Sequence, residues 1–178
     1  GYEIVSVKAY GNTLEATSDV YSFVVKGAAD VTVTTKAVGA PNAPEAITLS
    51  TEGGTSASAC KVVAGGTTYD GVKAGTSSAF GAVVIKLPAG TTKLSFSAAG
   101  WNGKGDCTIT FSGIEGLTSV TVPADTGVAN SSPFTIAATD LSVFAKEVTF
   151  AALTEETSLT LTATGNQRFV IWNASYVK

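Results

Sequence analysis

The carboxylates of Asp19, Asp30, Asp125, Asp140, Glu155 and Glu156 are the main groups through which this chain could catalyse a reaction, because it contains no histidine. Without imidazole there is no Ser-His-Asp or Cys-His machinery, no histidine-ligated zinc, and no side chain whose ordinary pKa lies near neutrality. A paired-carboxylate glycosidase remains open on composition, but it needs its two acids ~5–9.5 Å apart inside a cleft. Glu155 and Glu156 stand side by side in Leu153-Thr154-Glu155-Glu156-Thr157, which reads as a solvated turn. No phosphate-binding loop of the Gly-x-x-x-x-Gly-Lys-Ser/Thr type and no Asp-rich calcium loop occurs. The composition therefore points to contact more than to catalysis, and no cofactor is expected.

Aromatic and amide side chains offer a different chemistry. Trp101 lies in Gly100-Trp101-Asn102-Gly103-Lys104-Gly105-Asp106, where an indole face could stack on a sugar while Asn102, Lys104 and Asp106 bond its hydroxyls. The competing reading folds Trp101 back as a cap on the core, with the glycines serving only the turn. Tyr69 and Asp70 form a second polar candidate, although Asp before Gly71 is also an ordinary turn signal. Arg168 and Trp172, four apart on a strand, share a side; near a solvent edge they would make a cation–π or ligand platform, but we favour Trp172 as core, within the apolar run Phe169-Val170-Ile171-Trp172, with Arg168 as its exposed end. Trp101→Ala is thus expected to abolish glycan binding at little cost in stability if the indole is exposed, or to cost about 3–5 kcal/mol if it is packed.

The two cysteines, Cys60 and Cys107, each open an apolar stretch and are 47 positions apart. A bridge between them would stabilise the fold by roughly 4 kcal/mol. Two separate buried thiols, small apolar residues in effect, are the other reading. Eleven scattered basic residues and a net charge of −3 exclude a nucleic-acid surface or a polybasic membrane patch. The longest apolar runs fall far short of the ~20 residues a membrane helix needs. Low charge with abundant Thr, Ser, Ala, Val and Gly suggests an exported, secreted or cell-surface protein. Asn130-Ser131-Ser132 and Asn173-Ala174-Ser175 match the glycosylation sequon, which matters only in a eukaryotic secretory pathway.

The elements that must carry these groups are strands. Apolar residues alternate at Val83, Ile85 and Leu87, at Leu94, Phe96 and Ala98, at Cys107, Ile109 and Phe111, and at Leu159, Leu161 and Ala163. Gly65-Gly66, Pro88-Ala89-Gly90, Asn102-Gly103 and Asp125-Thr126-Gly127 punctuate them as turns. The alternation predicts about a dozen short strands in an all-β antiparallel sandwich, with no long helix. Ala40-Pro41-Asn42-Ala43-Pro44 reads as a linker. It separates residues 41–178 from a small N-terminal β segment, residues 1–40, with strands expected over Tyr2–Tyr10, Val20–Lys26 and Val31–Lys36. That segment is a small sheet docked on the main sandwich, which we favour, the remnant of a preceding module, or edge strands of the same sandwich, since forty residues are near the limit for a domain that folds unaided.

The stretch from Gly75-Thr76-Ser77-Ser78 through Pro88-Ala89-Gly90 to Gly100-Trp101, with the ending Arg168 to Val177, resembles a jelly-roll module common in exported surface proteins of gut Bacteroidetes. The resemblance covers roughly residues 41–178 and leaves residues 1–40 outside. It implies a galactose-binding-like jelly roll of the kind used by carbohydrate-binding and adhesion proteins, and carries no catalytic residue. Two functions follow as expectations: a sugar-binding module, or a structural or adhesive subunit whose partner is a surface protein. Buried tryptophans would favour the second.

Overall fold

The computed structural model describes residues 2–17, 20–24, 27–28, 30–37, 43–165 and 167–178. It divides into two compact units, Gly1–Ala43 and Pro44–Lys178. The linker residues Pro41 and Asn42 and the candidate acid Asp19 lie outside the described residues.

In the first unit, β1 (Tyr2–Ala9) pairs antiparallel with β2 (Asn12–Thr13), while β3 (Ala16–Thr17) and β4 (Val20–Tyr21) form a separate two-stranded ribbon. The strand expected over Val20–Lys26 is therefore strand only at its start; Val25 and Lys26 are not among the described residues. β5 (Val31–Ala37) completes a sheet ordered β2-β1-β5, with a bulge in β1 between Ile4 and Ser6. Val7 and Ala9 are buried, whereas Val33 and Val31, which face them across the ladder, are about half exposed.

The second unit contains β6 (Glu45–Ala46), β7 (Ala57–Ala64), β8 (Thr67–Ala74), β9 (Ala82–Leu87), β10 (Lys93–Gly100), β11 (Cys107–Ser112), β12 (Ser119–Val122), β13 (Phe134–Thr135), β14 (Ala145–Thr149), β15 (Thr157–Ala163) and β16 (Phe169–Val177). One 3-10 turn, Leu141–Phe144, is started by the Asp140 side chain. The strands form two sheets, β13-β7-β8-β16-β10-β14 with β6 added beside β16, and β12-β11-β15-β9. All pairings are antiparallel except β13 on β7. From β9 onward the chain passes repeatedly between the sheets, so its apolar alternation fills one inter-sheet core. Val83, Ile85 and Leu87 meet Leu94, Phe96 and Ala98 there, and Phe96 sets its ring edge-to-face with Phe111 at 6.3 Å. The fold is the all-β sandwich that the alternation predicts, of the jelly-roll type that the resemblance implies.

The Gly75–Gly81 loop shows why that segment is rich in glycine. A Cβ on Gly81 would lie 1.8 Å from the Gly75 nitrogen. The backbones pass too closely for any side chain, and Thr76 closes the loop by accepting from the N–H groups of Ser78 and Ala79.

A second apolar cluster lies on the other face of the larger sheet. Cys60, Val62 and Ala64 from β7, Ala99 from β10, and Val170 and Trp172 from β16 are covered by Val128, Phe134, Ile136 and Phe144. These covering residues come from the long connection between β12 and β14. That connection is pinned by Asp125, whose carboxylate accepts from the backbone N–H groups of Gly127 (2.7 Å), Ala137 (2.9 Å) and Ala138 (3.1 Å). Cys60 belongs to this outer cluster and Cys107 to the inter-sheet core, so the two are buried thiols in separate layers.

Candidate functional site

The outer face of the larger sheet is dry only where that connection covers it. Beyond the cover the sheet forks. β16 runs beside β8 from Phe169↔Ala74 to Trp172↔Gly71, then takes β6 as its neighbour at Ser175↔Ala46. At the fork β16 also bulges against β10, since Ser97 faces Trp172 while Ser95 faces Ser175. The extra residue is Asn173, whose φ of +51° is left-handed. Asparagine reaches that conformation more readily than most residues because its short amide can bond locally. Asn173 is exposed although its neighbours Trp172 and Ala174 are buried.

Three shallow grooves meet at Asn173. The largest, of ≈ 450 Å³, opens between β8 and the segment Ala46–Leu49 and is walled by Tyr69, Asp70 and Asn173. The next, of ≈ 280 Å³, shares Tyr69 and Asn173 with it and adds Ser97, Leu141, Ser142 and the edge of Trp172. The third, of ≈ 240 Å³, shares Ser97, Ala145 and Asn173 and continues over Ser95, Lys146, Glu147 and Ser175. A smaller recess of ≈ 130 Å³ between Ile47–Ser50 and Val84–Lys86 adjoins the largest groove, with which it shares Ile47, Thr48 and Leu49.

Each carboxylate lining the grooves has a lysine partner, while the Lys146 ammonium donates to the Val143 carbonyl. Lys61 meets Asp70 at 2.6 Å and Lys93 meets Glu147 at 3.1 Å. Beside the fork, the Tyr176 hydroxyl donates to Glu45 at 2.6 Å, and this bond holds its phenol above the usual tyrosine range. Cys60 lines the floor of the largest groove, and loss of hydration pushes its thiol up to about 11 from 9.0, keeping it neutral and a poor nucleophile.

The structure thus brings Tyr69 and Asp70 to a groove, but not Trp101, Asn102, Lys104 and Asp106. Asn102, Lys104 and Asp106 are exposed on the β10–β11 loop and line none of the three grooves. The exposed indole considered for Trp101 is corrected: the residue is 7% exposed. Its loop is tied to the β12–β14 connection by Asn102 N–H donating to Val128 C=O at 2.9 Å. Phe134 packs edge-on at 5.8 Å, and Arg168 covers a ring face with its guanidinium carbon 3.9 Å from the centroid. Lys73 adds a second cation at 5.5 Å. Trp172, 3% exposed, packs against Phe144 as the core residue expected.

None of the candidate acids among the described residues lines one of the three grooves. Asp125 is committed to backbone N–H groups. Asp140 accepts from the Ser142 hydroxyl and N–H, which hold its carboxyl below the usual range. Glu155 and Glu156 are exposed in the turn before β15, and Asp30 is exposed before β5. Among the described residues no group of three Asp, Glu or Cys side chains is placed to hold a metal ion, and no helix is long and apolar enough to cross a membrane.

Sequence reasoning singled out Asn173 and Ser175 only as a sequon and passed over Ser95, Ser97 and Glu147. The signal available for the first was an asparagine interrupting the apolar β16 run directly after Trp172.

No protein family matches the chain, and no curated protein matches it. Among solved structures it is similar to the Arthrobacter globiformis T6 isomalto-dextranase complexed with panose, at 15% identity and TM-score 0.44, covering 97% of this chain and 29% of that one. It is also similar to a family 11 carbohydrate-binding module from Clostridium thermocellum in complex with a β-1,3-1,4-mixed-linked tetrasaccharide, at 15% identity and TM-score 0.35, covering 79% and 90% of the two chains. A third similarity, at 12% identity and TM-score 0.32, covers 86% of this chain and 70% of a promiscuous carbohydrate-binding module of the β-sandwich superfamily. The chain therefore spans less than a third of the isomalto-dextranase.

Proposed function

We propose that this chain is an exported, non-catalytic surface module that binds glycans on the outer face of its larger sheet. The observation that carries the reading is Asn173: an exposed amide in left-handed conformation, at a bulge in a buried strand, where three grooves converge. Bulges and left-handed side-chain residues are often retained where they aim a group at a ligand. The serines, the amide and the Tyr69 phenol around it suit the hydroxyl rim of a sugar, and the ring of Tyr69 suits its C–H face.

Asn173→Gly tests this cleanly, because glycine keeps the positive φ while removing the amide. Titration calorimetry against mixed-linkage β-glucan, dextran, xylan and mannan should show at least one ligand whose affinity falls about tenfold in the variant, the ~1.4 kcal/mol of one good hydrogen bond. Retention of full affinity in the variant would refute the site, and absence of any binding would refute the function. Chromogenic glycosides and esters should remain unhydrolysed, and fractionation of producing cells should place the protein at the surface or in the medium.

A second reading, a structural or adhesive subunit with a protein partner, draws on a separate observation. Both indoles are buried, and the N-terminal sheet exposes Ile4, Val5, Val31 and Val33. A glycan screen without hits, together with saturable binding to one surface protein that is lost in Val31→Ser/Val33→Ser, would put that reading first.

A further inference from the structure

Resting on the glycan reading, we infer that the ligand is an uncharged polysaccharide, gripped along an internal run of about three sugars that crosses β8, β16, β10 and β14. The direction follows from the way the grooves join. The second and third share Ser97, Ala145 and Asn173 and together run from Tyr69 on β8 to Glu147 on β14, one trough perpendicular to the strands; the first meets it at Tyr69 and Asn173 and turns off towards Ile47–Leu49. Neighbouring strands lie ~4.8 Å apart, and three spacings give a track of ~14 Å, the length of roughly three linked pyranose rings. The trough is open to solvent and shallow throughout. A pocket for a chain end or a free monosaccharide would be closed at one side; an open trough lets the polymer continue past both ends.

The electrostatics select the class. Glu147 stands at the β14 end and is answered by Lys93 at 3.1 Å; Asp70, which alternates with Tyr69 and shares its side of β8 with the core residue Val72, meets Lys61 at 2.6 Å on the other face. Lys146, on the third groove, donates to the Val143 carbonyl at 3.0 Å. A uronate or sulfate laid in the trough would meet the Glu147 carboxylate, whose counter-charge Lys93 is already engaged. A neutral sugar has only hydroxyls to satisfy, and Ser97, Ser175 and Asn173 offer donors and acceptors with no charge to desolvate, while Ser95 already donates to Glu147 at 3.5 Å.

The experiment is calorimetry of the intact chain with gluco- and manno-oligosaccharides of one to six units, and with polygalacturonate and heparin as anionic probes, at two salt concentrations. Affinity should rise about tenfold or more from one unit to three and level off beyond four. It should change less than about twofold between low and high salt, where exposed charge–charge attraction would be screened away. A monosaccharide binding as tightly as a trisaccharide, or a salt-sensitive preference for the anionic polymers, would overturn this inference while leaving a glycan-binding module standing. No binding to any probe would overturn the glycan reading, and this inference with it.

Discussion

Replacing Trp101 by alanine separates a packing role from a ligand-stacking role in a single variant. The indole is 7% exposed, its edge contacts Phe134 at 5.8 Å, and Arg168 stacks on its face at 3.9 Å. Removing it empties a large volume against the β12–β14 connection, and loss of a buried tryptophan costs about 3–5 kcal/mol. For a domain of this size each kcal/mol is worth about 4 °C, so Tm should drop by roughly 12–20 °C in differential scanning calorimetry. Part of that loss belongs to the guanidinium–indole pair. Arg168→Ala alone should cost about 1 kcal/mol, and the double variant should cost less than the sum of the singles by ~0.5–1 kcal/mol. Glycan affinity of the still-folded variant, measured well below its Tm, should equal that of the wild type, because Trp101 lines none of the three grooves. A Tm change under about 3 °C combined with abolished binding would refute both the packing argument and the assignment of the ligand to the Asn173 trough.

Asp125→Ala should cost about 3 kcal/mol in urea unfolding, since it strands three backbone donors that one carboxylate now satisfies; Asp125→Asn should cost less, and a loss below ~1 kcal/mol for the alanine would show that water replaces the carboxylate. Burial holds the Cys60 thiol near 11 against 9.0, so the unfolded chain gives up this proton first, and Cys60 contributes stability that is complete below pH 9 and falls as pH rises towards 11. Cys60→Ala should flatten that alkaline decline, and an unchanged slope in denaturation from pH 8 to 10.5 would count against it. Gly81→Ala should fail to give soluble folded protein because its Cβ would lie 1.8 Å from the Gly75 nitrogen; Gly103→Ala, with open space around it but a φ of +70°, should fold at a cost of about 1 kcal/mol. Comparable yields and melting temperatures for the two variants would contradict the close-packed reading of the Gly75–Gly81 loop.

The strand content and the inter-sheet core were legible in the sequence because period-two alternation is a local property of the backbone. When every second residue at Val83, Ile85, Leu87 or at Leu159, Leu161, Ala163 is apolar, one face of the strand must be dry, and two such faces close a sandwich. The burial of Trp101 was not legible. Its immediate neighbours are Gly100, Asn102 and Gly103, which cannot cover an indole, and the covering groups Phe134 and Arg168 come from positions far along the chain. The outer cluster left one trace, the unalternating run Phe169–Trp172, since a central strand buried on both faces loses its period. The trough needed tertiary structure altogether. Asn173 becomes its centre because β8 and β6 both lie beside β16, one on each side of the bulge, and the gap they leave is set by strand pairing across more than a hundred residues. Sequence alternation decided which side chains enter the core; long-range pairing decided where the sheet opens.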